Sequence, residues 1–354
     1  MADKVLMKGN EAIAEAAIHA GCRHYFGYPI TPQTEVAAYM AKVMPKIGGT
    51  FLQAESEIAA INMVYGVASC GLRVMTSSSS PGISLKGEGL SYLAGSDLPA
   101  LVVNVQRGGP GLGGIQPSQS DYYQATKALG HGDMQLFVLA PSSVQEMAQL
   151  TADAFGIADK YRMPVLLLAD GALGQMMEPV DFDALRIPEE TEKPWAANGH
   201  GGKRKKNIIT SLFLKPEELE SNILEREKKY EIVRRDEVRY ENYLCDDADI
   251  IIVSFGITAR ISKAAVNEAR SRGIKAGLLR PITLSPFPSG ILGKLAEKAS
   301  AFLSVELNMG QMVNDVKLAV QCRRPVSFYG RTGGSLMSSE DVLEQIIKIS
   351  GGLK

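Results

Sequence analysis

Gly27-Tyr28-Pro29-Ile30-Thr31-Pro32 decides the fold. It follows Arg23 to Gly27, which reads as a strand, and it turns sharply while offering one hydroxyl. Thr31 reads as an N-cap and Pro32 as the first helical residue, which predicts a helix running to about Met44. Thr50 to Leu52 is then a short strand. Glu55-Ser56-Glu57-Ile58-Ala59-Ala60 opens the next helix, Glu57 to Ser69, which Gly71 closes. A strand-end hydroxyl and a helix-start carboxylate on neighbouring units of one parallel sheet face a common cleft. That pairing points to cofactor chemistry.

The same alternation extends outward. Ala12 to Ala20 is an apolar helix stopped by Gly21. Arg73–Thr76, Ala100–Val105, Gln135–Leu139 and Pro164–Ala169 read as buried strands, with helices near Ser84–Leu93 and Val144–Lys160 between them. Strands alternating with helices predict an α/β fold, a parallel sheet covered on both faces, over residues 1–177. Residues 178–247 shift to charged composition and predict a linker with a helical extension. Glu217 to Glu241 has apolar positions at rough helical spacing, as a surface helix bridging two domains would. The basic run Lys203-Arg204-Lys205-Lys206 reads as a solvated loop or as a phosphate patch. A smaller α/β domain is expected over 248–354, with strands Ile250–Ser254, Ile274–Leu279, Ala301–Glu306 and Val326–Phe328 and a terminal helix Ser338–Ile349.

Composition narrows the function. Of 354 residues, 45 % are apolar and 22 % charged, as in a globular protein, and a net charge of −1 gives no electrostatic case for nucleic acid or an anionic membrane. No apolar run approaches the roughly 20 residues that span a bilayer, and Met1-Ala2-Asp3-Lys4 lacks the apolar core of a signal peptide, so a cytoplasmic protein is expected. Cys22, Cys70, Cys245 and Cys322 are scattered, without a close pair, which predicts buried filler rather than an iron–sulfur or zinc site, and no metal ligands are assigned.

Each candidate residue carries two readings. Glu57 suits the electropositive start of a helix, yet Ile58, Ala59, Ala60 and Ile61 crowd it, and burial of a carboxylate favours a neutral form that can exchange a proton near neutrality. Thr31 caps a helix or contacts a substrate. Thr76-Ser77-Ser78-Ser79-Ser80-Pro81-Gly82 offers hydroxyls and backbone donors to an anion or a cofactor edge, or is a flexible turn. Arg107, at a strand end before Gly108-Gly109-Pro110-Gly111, suits bidentate carboxylate recognition, or an interface salt bridge. No Gly-x-Ser-x-Gly elbow or P-loop is present, and the glycine-rich stretch after Arg107 is not a dinucleotide fingerprint, because no helix-opening Gly-x-Gly-x-x-Gly follows the first strand.

Taken together, Tyr28-Pro29-Ile30-Thr31-Pro32, Glu55-Ser56-Glu57 with Gly66, Ser80-Pro81-Gly82, Arg107-Gly108-Gly109-Pro110 and Val305-Glu306-Leu307-Asn308-Met309-Gly310-Gln311-Met312 resemble the α subunits of 2-oxoacid:ferredoxin oxidoreductases. The loop Gly111-Leu112-Gly113-Gly114-Ile115-Gln116-Pro117 is most similar to the branched-chain (2-oxoisovalerate) type; 2-oxoglutarate enzymes and a non-catalytic scaffold subunit are the alternatives. The resemblance implies a thiamine pyrimidine-binding domain followed by a transketolase C-terminal-like domain. It implies thiamine diphosphate in a cleft shared between two chains, with Pro29, Ile30, Glu57, Ser79 and Ser80 at the cofactor and Glu57 bonded to N1′ of its aminopyrimidine. Thr31 and Arg107 would bind the 2-oxoacid, and coenzyme A would collect the acyl group. Since no Gly-Asp-Gly segment and no cluster cysteines occur, Mg2+, the diphosphate and 4Fe-4S clusters are expected on a β subunit and a ferredoxin-like γ or δ subunit, with ferredoxin as acceptor. The chain alone is expected to be inactive.

Overall fold

The computed structural model describes residues 4–352. In chain order the strands and α-helices are β1 (Val5–Lys8), α1 (Gly9–His19), β2 (His24–Gly27), α2 (Thr34–Val43), β3 (Thr50–Gln53), α3 (Glu57–Ser69), β4 (Val74–Ser78), α4 (Ser80–Gly95), β5 (Ala100–Gln106), β6 (Phe137–Leu139), α5 (Val144–Tyr161), β7 (Pro164–Asp170), α6 (Gly171–Gln175), β8 (Met177–Val180) and α7 (Pro216–Asp236). The second half adds β9 (Tyr240–Tyr243), β10 (Ile250–Val253), α8 (Gly256–Ser271), β11 (Ala276–Pro281), β12 (Thr283–Ser285), α9 (Ser289–Leu295), β13 (Ala301–Glu306), α10 (Met312–Ala319), β14 (Val326–Gly330) and α11 (Ser339–Gly352).

The first sheet has the order β12-β6-β7-β5-β4-β2-β3, and β2 through β7 run parallel. β5 and β7 are buried along all seven residues each, because helices cover both faces and leave no solvent side for polar alternation. The second sheet is β14-β13-β10-β11-β9. Both depart from the expected all-parallel pattern at one edge: β12 pairs antiparallel with β6, and β9 pairs antiparallel with β11. β12 comes from the second half of the chain, so it covers the edge of β6 that the first half leaves unpaired. β8, in the segment read as linker, pairs with β1.

α7 is largely exposed, with Tyr230 and Val233 buried, while Leu219 and Leu224 of the expected apolar stripe face solvent. Its polar contacts run along the first unit, from Arg226 to the Gly95 carbonyl and from Lys229 to Asp97, before the chain enters β9. Lys203, Arg204, Lys205 and Lys206 are exposed in an irregular loop. Cys22 and Cys245 are buried as expected, but Cys70 is half-buried and Cys322 is exposed, so filler does not describe those two.

Hydrogen bonds join the two units. Gln119 donates from Nε2 to the Phe255 carbonyl at 2.8 Å and accepts the Leu307 N–H at 3.1 Å. Gln311 donates to the Ser120 carbonyl at 2.8 Å and accepts the Tyr123 N–H at 2.7 Å. Asp170, at the end of β7, accepts the Leu173 and Ile257 N–H groups at the starts of α6 and α8. Burial pushes its carboxyl group above the usual range against those bonds. The Val305–Met312 segment is therefore a seam between the units.

Candidate active site

Four backbone turns at the carboxyl ends of the parallel strands build the site. The first is the Gly27–Pro32 turn. Thr31 is not the helix cap that the sequence predicts: it is exposed, the Thr31–Pro32 bond is cis, and α2 begins at Thr34. The reason lies in the Pro32 carbonyl, which accepts from Asn10 Nδ2 at 2.7 Å and Gln175 Nε2 at 3.1 Å and is thereby tied to α1 and α6. Gln33 anchors the turn from below. It accepts from Ser77 Oγ at 2.5 Å, and Ser77 in turn meets the Tyr25 hydroxyl at 2.7 Å. Burial raises that hydroxyl well above its ordinary pKa, so it stays neutral. Gly27 is required here, since a Cβ would stand 2.5 Å from the Tyr25 hydroxyl oxygen. Pro29 is exposed and Ile30 partly so, on the outer side of the turn.

The second turn carries Glu57. Ser56 caps α3 by accepting the Ala59 N–H at 3.1 Å, which puts Glu57 in the first helical position. Its side chain is buried, with 5 % of the residue exposed, and Oε1 accepts from Ser78 Oγ at 3.3 Å. Gly82 packs against this carboxylate so closely that a Cβ would lie 2.3 Å from Oε1 and 2.1 Å from Ser78 Oγ.

The third is the serine run, which forms the end of a strand and the start of a helix. Thr76, Ser77 and Ser78 complete β4, Ser79 is the extended residue before the helix, and Ser80 starts α4, four residues earlier than the periodicity predicts. Ser79 Oγ is fully buried without a hydrogen-bond partner. Ser80 Oγ is committed: it accepts the Arg107 N–H at 3.1 Å and lies 2.5 Å from Asp121 Oδ2, to which it donates.

Arg107 directly follows β5 and begins the fourth turn. Its guanidinium is buried and donates to the Thr31 carbonyl at 3.0 Å and to the Leu112 carbonyl at 3.3 Å, while Nε has no partner. Thr31 and Arg107 are thus brought together through backbone, and the glycine-rich loop is fastened to the Gly27–Pro32 turn. Asp121 accepts from Ser80 and from Asn104 Nδ2 at 2.9 Å. Burial raises its carboxyl group, against the pull of those two bonds and the nearby Arg107 charge. A cleft of about 600 Å3 opens beside Ser80, Gly109, Asp121 and Met309, between the two units.

Sequence reading missed Lys86 and Asp121, and it gave Ser78 and Gly82 no role of their own within the serine run. Lys86 is fully buried on α4, and its Nζ donates to the Glu57 carbonyl at 3.4 Å. Only the helical spacing Gly82–Lys86, one turn apart on the face packed against α3, carried a signal for two of them.

These residues fit an aminopyrimidine ring. A buried carboxylate with an oxygen to spare, an orphaned Ser79 hydroxyl and a glycine cradle form a site for a flat, hydrogen-bonding heterocycle. Residues 15–244 match the family described as pyruvate flavodoxin/ferredoxin oxidoreductase, thiamine diphosphate-binding, and residues 248–342 match the pyruvate:ferredoxin oxidoreductase core domain II. The chain belongs to the 2-oxoacid:ferredoxin oxidoreductase family. It is 51 % identical, over 98 % of both chains, to the ketoisovalerate oxidoreductase subunit VorB of Methanothermobacter marburgensis. It is 37 % identical to the 2-oxoglutarate synthase subunit KorA of Archaeoglobus fulgidus, over 96 % of this chain and 97 % of that one. Among solved structures, the 2-oxoglutarate:ferredoxin oxidoreductase of Magnetococcus marinus superposes with a TM-score of 0.89 at 28 % identity, over 98 % of this chain and 65 % of that chain. A split-gene transketolase shares the fold, with a TM-score of 0.60 at 14 % identity. The thiamine-type α/β architecture expected from the sequence is the one observed. No described helix is long and apolar enough to cross a membrane.

Proposed function

We propose that this chain is the pyrimidine-binding, catalytic α subunit of an oxidoreductase that decarboxylates a branched-chain 2-oxoacid of the 2-oxoisovalerate kind. Coenzyme A takes the acyl group, ferredoxin takes the electrons, and the work is done in the cytoplasm. The observation that carries the reading is the Glu57 carboxylate, buried at the start of α3 with one oxygen on Ser78 and with Gly82 packed closely against it. The family assignment supports the chemistry, and the 51 % identity to ketoisovalerate oxidoreductase subunits, against 37 % to a 2-oxoglutarate subunit, supports the substrate class.

Bound thiamine diphosphate supplies the carbon nucleophile and electron sink that decarboxylation of a 2-oxoacid requires. This chain's part is to hold it and the substrate. Glu57, its carboxyl group oriented by Ser78, would hold a proton toward N1′ of the pyrimidine; Ser79 would offer its free hydroxyl to the ring, and Pro29 and Ile30 line the turn beside it. Ser80 carries no free hydroxyl in this arrangement and acts by holding Arg107 and Asp121. Thr31 presents its exposed side chain to the oxoacid, and Arg107 contributes positive charge at the strand end. Diphosphate, Mg2+ and 4Fe-4S clusters belong to a β partner and a ferredoxin-like subunit, for which this chain offers no ligand motif.

The test uses the chain assembled with its β partner. Glu57→Ala should abolish most 2-oxoacid-dependent reduction of a viologen dye, and near-normal turnover would refute the reading. Initial rates with 2-oxoisovalerate, 2-oxoglutarate and pyruvate decide the substrate class; a preference for 2-oxoglutarate would replace the branched-chain assignment.

A further inference from the structure

α4 brings a second ionisable side chain to the corner that holds Glu57. Lys86 sits one helical turn after Gly82 and has no exposed surface. Lysine is almost never fully buried unless paired, and an ammonium needs acceptors for three N–H bonds. Here the acceptor is the backbone carbonyl of Glu57, at 3.4 Å, and no carboxylate among the described residues forms an ion pair with it. The elements packed against α4 (α3, β5 and β7) present one charge that acts on Lys86, that of Glu57. Burial pulls the amine down from the ordinary lysine value to about 8, and the Glu57 charge opposes that pull.

Stability gives no reason for an amine in this place. A methionine or leucine fills a similar volume without the desolvation cost, and replacing buried ions by apolar groups is often neutral or stabilising. The amine does meet the one residue whose orientation the proposed chemistry needs. It touches the carbonyl of Glu57 itself, in the first turn of α3, while Gly82 of the same helix touches that residue's carboxylate. One helix face thus grips Glu57 at both its backbone and its side chain.

We propose that Lys86 is the positioning residue for Glu57: its ammonium pins the backbone that carries the carboxyl group and provides the buried positive charge facing it, so that a pyrimidine ring meets a carboxyl group of fixed orientation. The inference rests on the role proposed for Glu57 and adds to it a residue that touches neither cofactor nor substrate.

The experiment uses the assembled complex, stripped of cofactor, and measures thiamine diphosphate affinity by titration calorimetry across about pH 6 to 10, together with dye reduction. Lys86→Met should weaken the cofactor by about tenfold, the scale of one charged hydrogen bond, with the KM for the oxoacid changed by less than about twofold. In the wild type, affinity should fall as pH rises through about 8, where Lys86 loses its proton. Lys86→Arg, which keeps its charge, should hold the affinity over the whole range. Wild-type affinity and an unchanged pH profile in Lys86→Met overturn the proposal. If that variant does not assemble, the wild-type titration decides, since a flat affinity through pH 8 also overturns it. Glu57→Gln is measured in parallel. Normal turnover in that variant sinks the role of Glu57, whereas its loss alongside an indifferent Lys86→Met sinks only the role of Lys86.

Discussion

The guanidinium of Arg107 donates to the main-chain carbonyl of Thr31 at 3.0 Å, so the end of β5 is tied to the turn after β2 across the intervening strand β4. The same side chain holds the Leu112 carbonyl. Two carbonyls at fixed separation suit a planar, forked donor and not a single ammonium. Arg107→Lys should therefore leave the fold intact and lower kcat/KM for the oxoacid by roughly 10- to 100-fold, through a misplaced turn. Steady-state rates on the assembled complex check this, and a change below twofold would remove Arg107 from the site.

Gly82→Ala tests the cradle around Glu57. The added methyl would stand 2.1 Å from Ser78 Oγ and 2.3 Å from Glu57 Oε1, so the carboxylate must move. Overpacking of this kind costs on the order of 1–3 kcal/mol, which thermal unfolding of the isolated chain would register. Cofactor affinity should fall with it. An alanine variant that binds thiamine diphosphate normally would show that the carboxylate's position is not needed.

Lys86 also predicts a pH dependence of stability. Its folded value, about 8, lies below the ordinary 10.5. Between those values the unfolded chain binds a proton that the folded chain has lost, so this group makes stability rise with pH across that window. Below about 8 both states are protonated and the burial cost is present in full. Lys86→Met removes the cost. Its unfolding free energy at pH 7 should exceed that of the wild type by up to about 3 kcal/mol, with the gap closing above about pH 10.5. A variant less stable at pH 7 with an unaltered pH slope would contradict this. Together with weaker cofactor binding, the expected result is a residue that costs stability and serves the site.

Glu306 is fully buried and accepts the N–H groups of Gln311, Met312 and Val313, the last two at 2.8 and 2.9 Å, and the Ser304 hydroxyl at 2.8 Å. It caps α10 from β13 and so shapes the seam to which Gln311 and Asn308 contribute. Glu306→Ala would strand three backbone donors and should lower stability by roughly 2–4 kcal/mol, with Glu306→Gln intermediate, as read by urea unfolding. A neutral alanine variant would mean that water replaces the carboxylate.

Much of the site was legible because its signals are local. Ser56 and Glu57 announce a capped helix within four residues, and the helix starts where that signal says. The apolar runs at Ala100–Val105 and Pro164–Ala169 mark buried parallel strands by composition alone. Thr31 failed for the opposite reason. Threonine before proline is a sound cap signal, but the Pro32 carbonyl is claimed by Asn10 and by Gln175, 143 residues further on, and no local rule sees that competitor.

The chain's own order of residues determined the α/β alternation, the carboxylate at the head of a helix, the arginine at a strand end and the family motifs that they compose. These follow from hydrophobic period, helix-end electrostatics and turn chemistry, which act over a few residues. Only the tertiary structure decided which groups meet: Lys86 beneath Glu57, Asp121 on Ser80, Arg107 on the Thr31 carbonyl, and β12 on the edge of β6. Those contacts join residues 29, 41, 76 and more than 140 positions apart, and packing of whole elements, rather than any local preference, brings them within bonding distance.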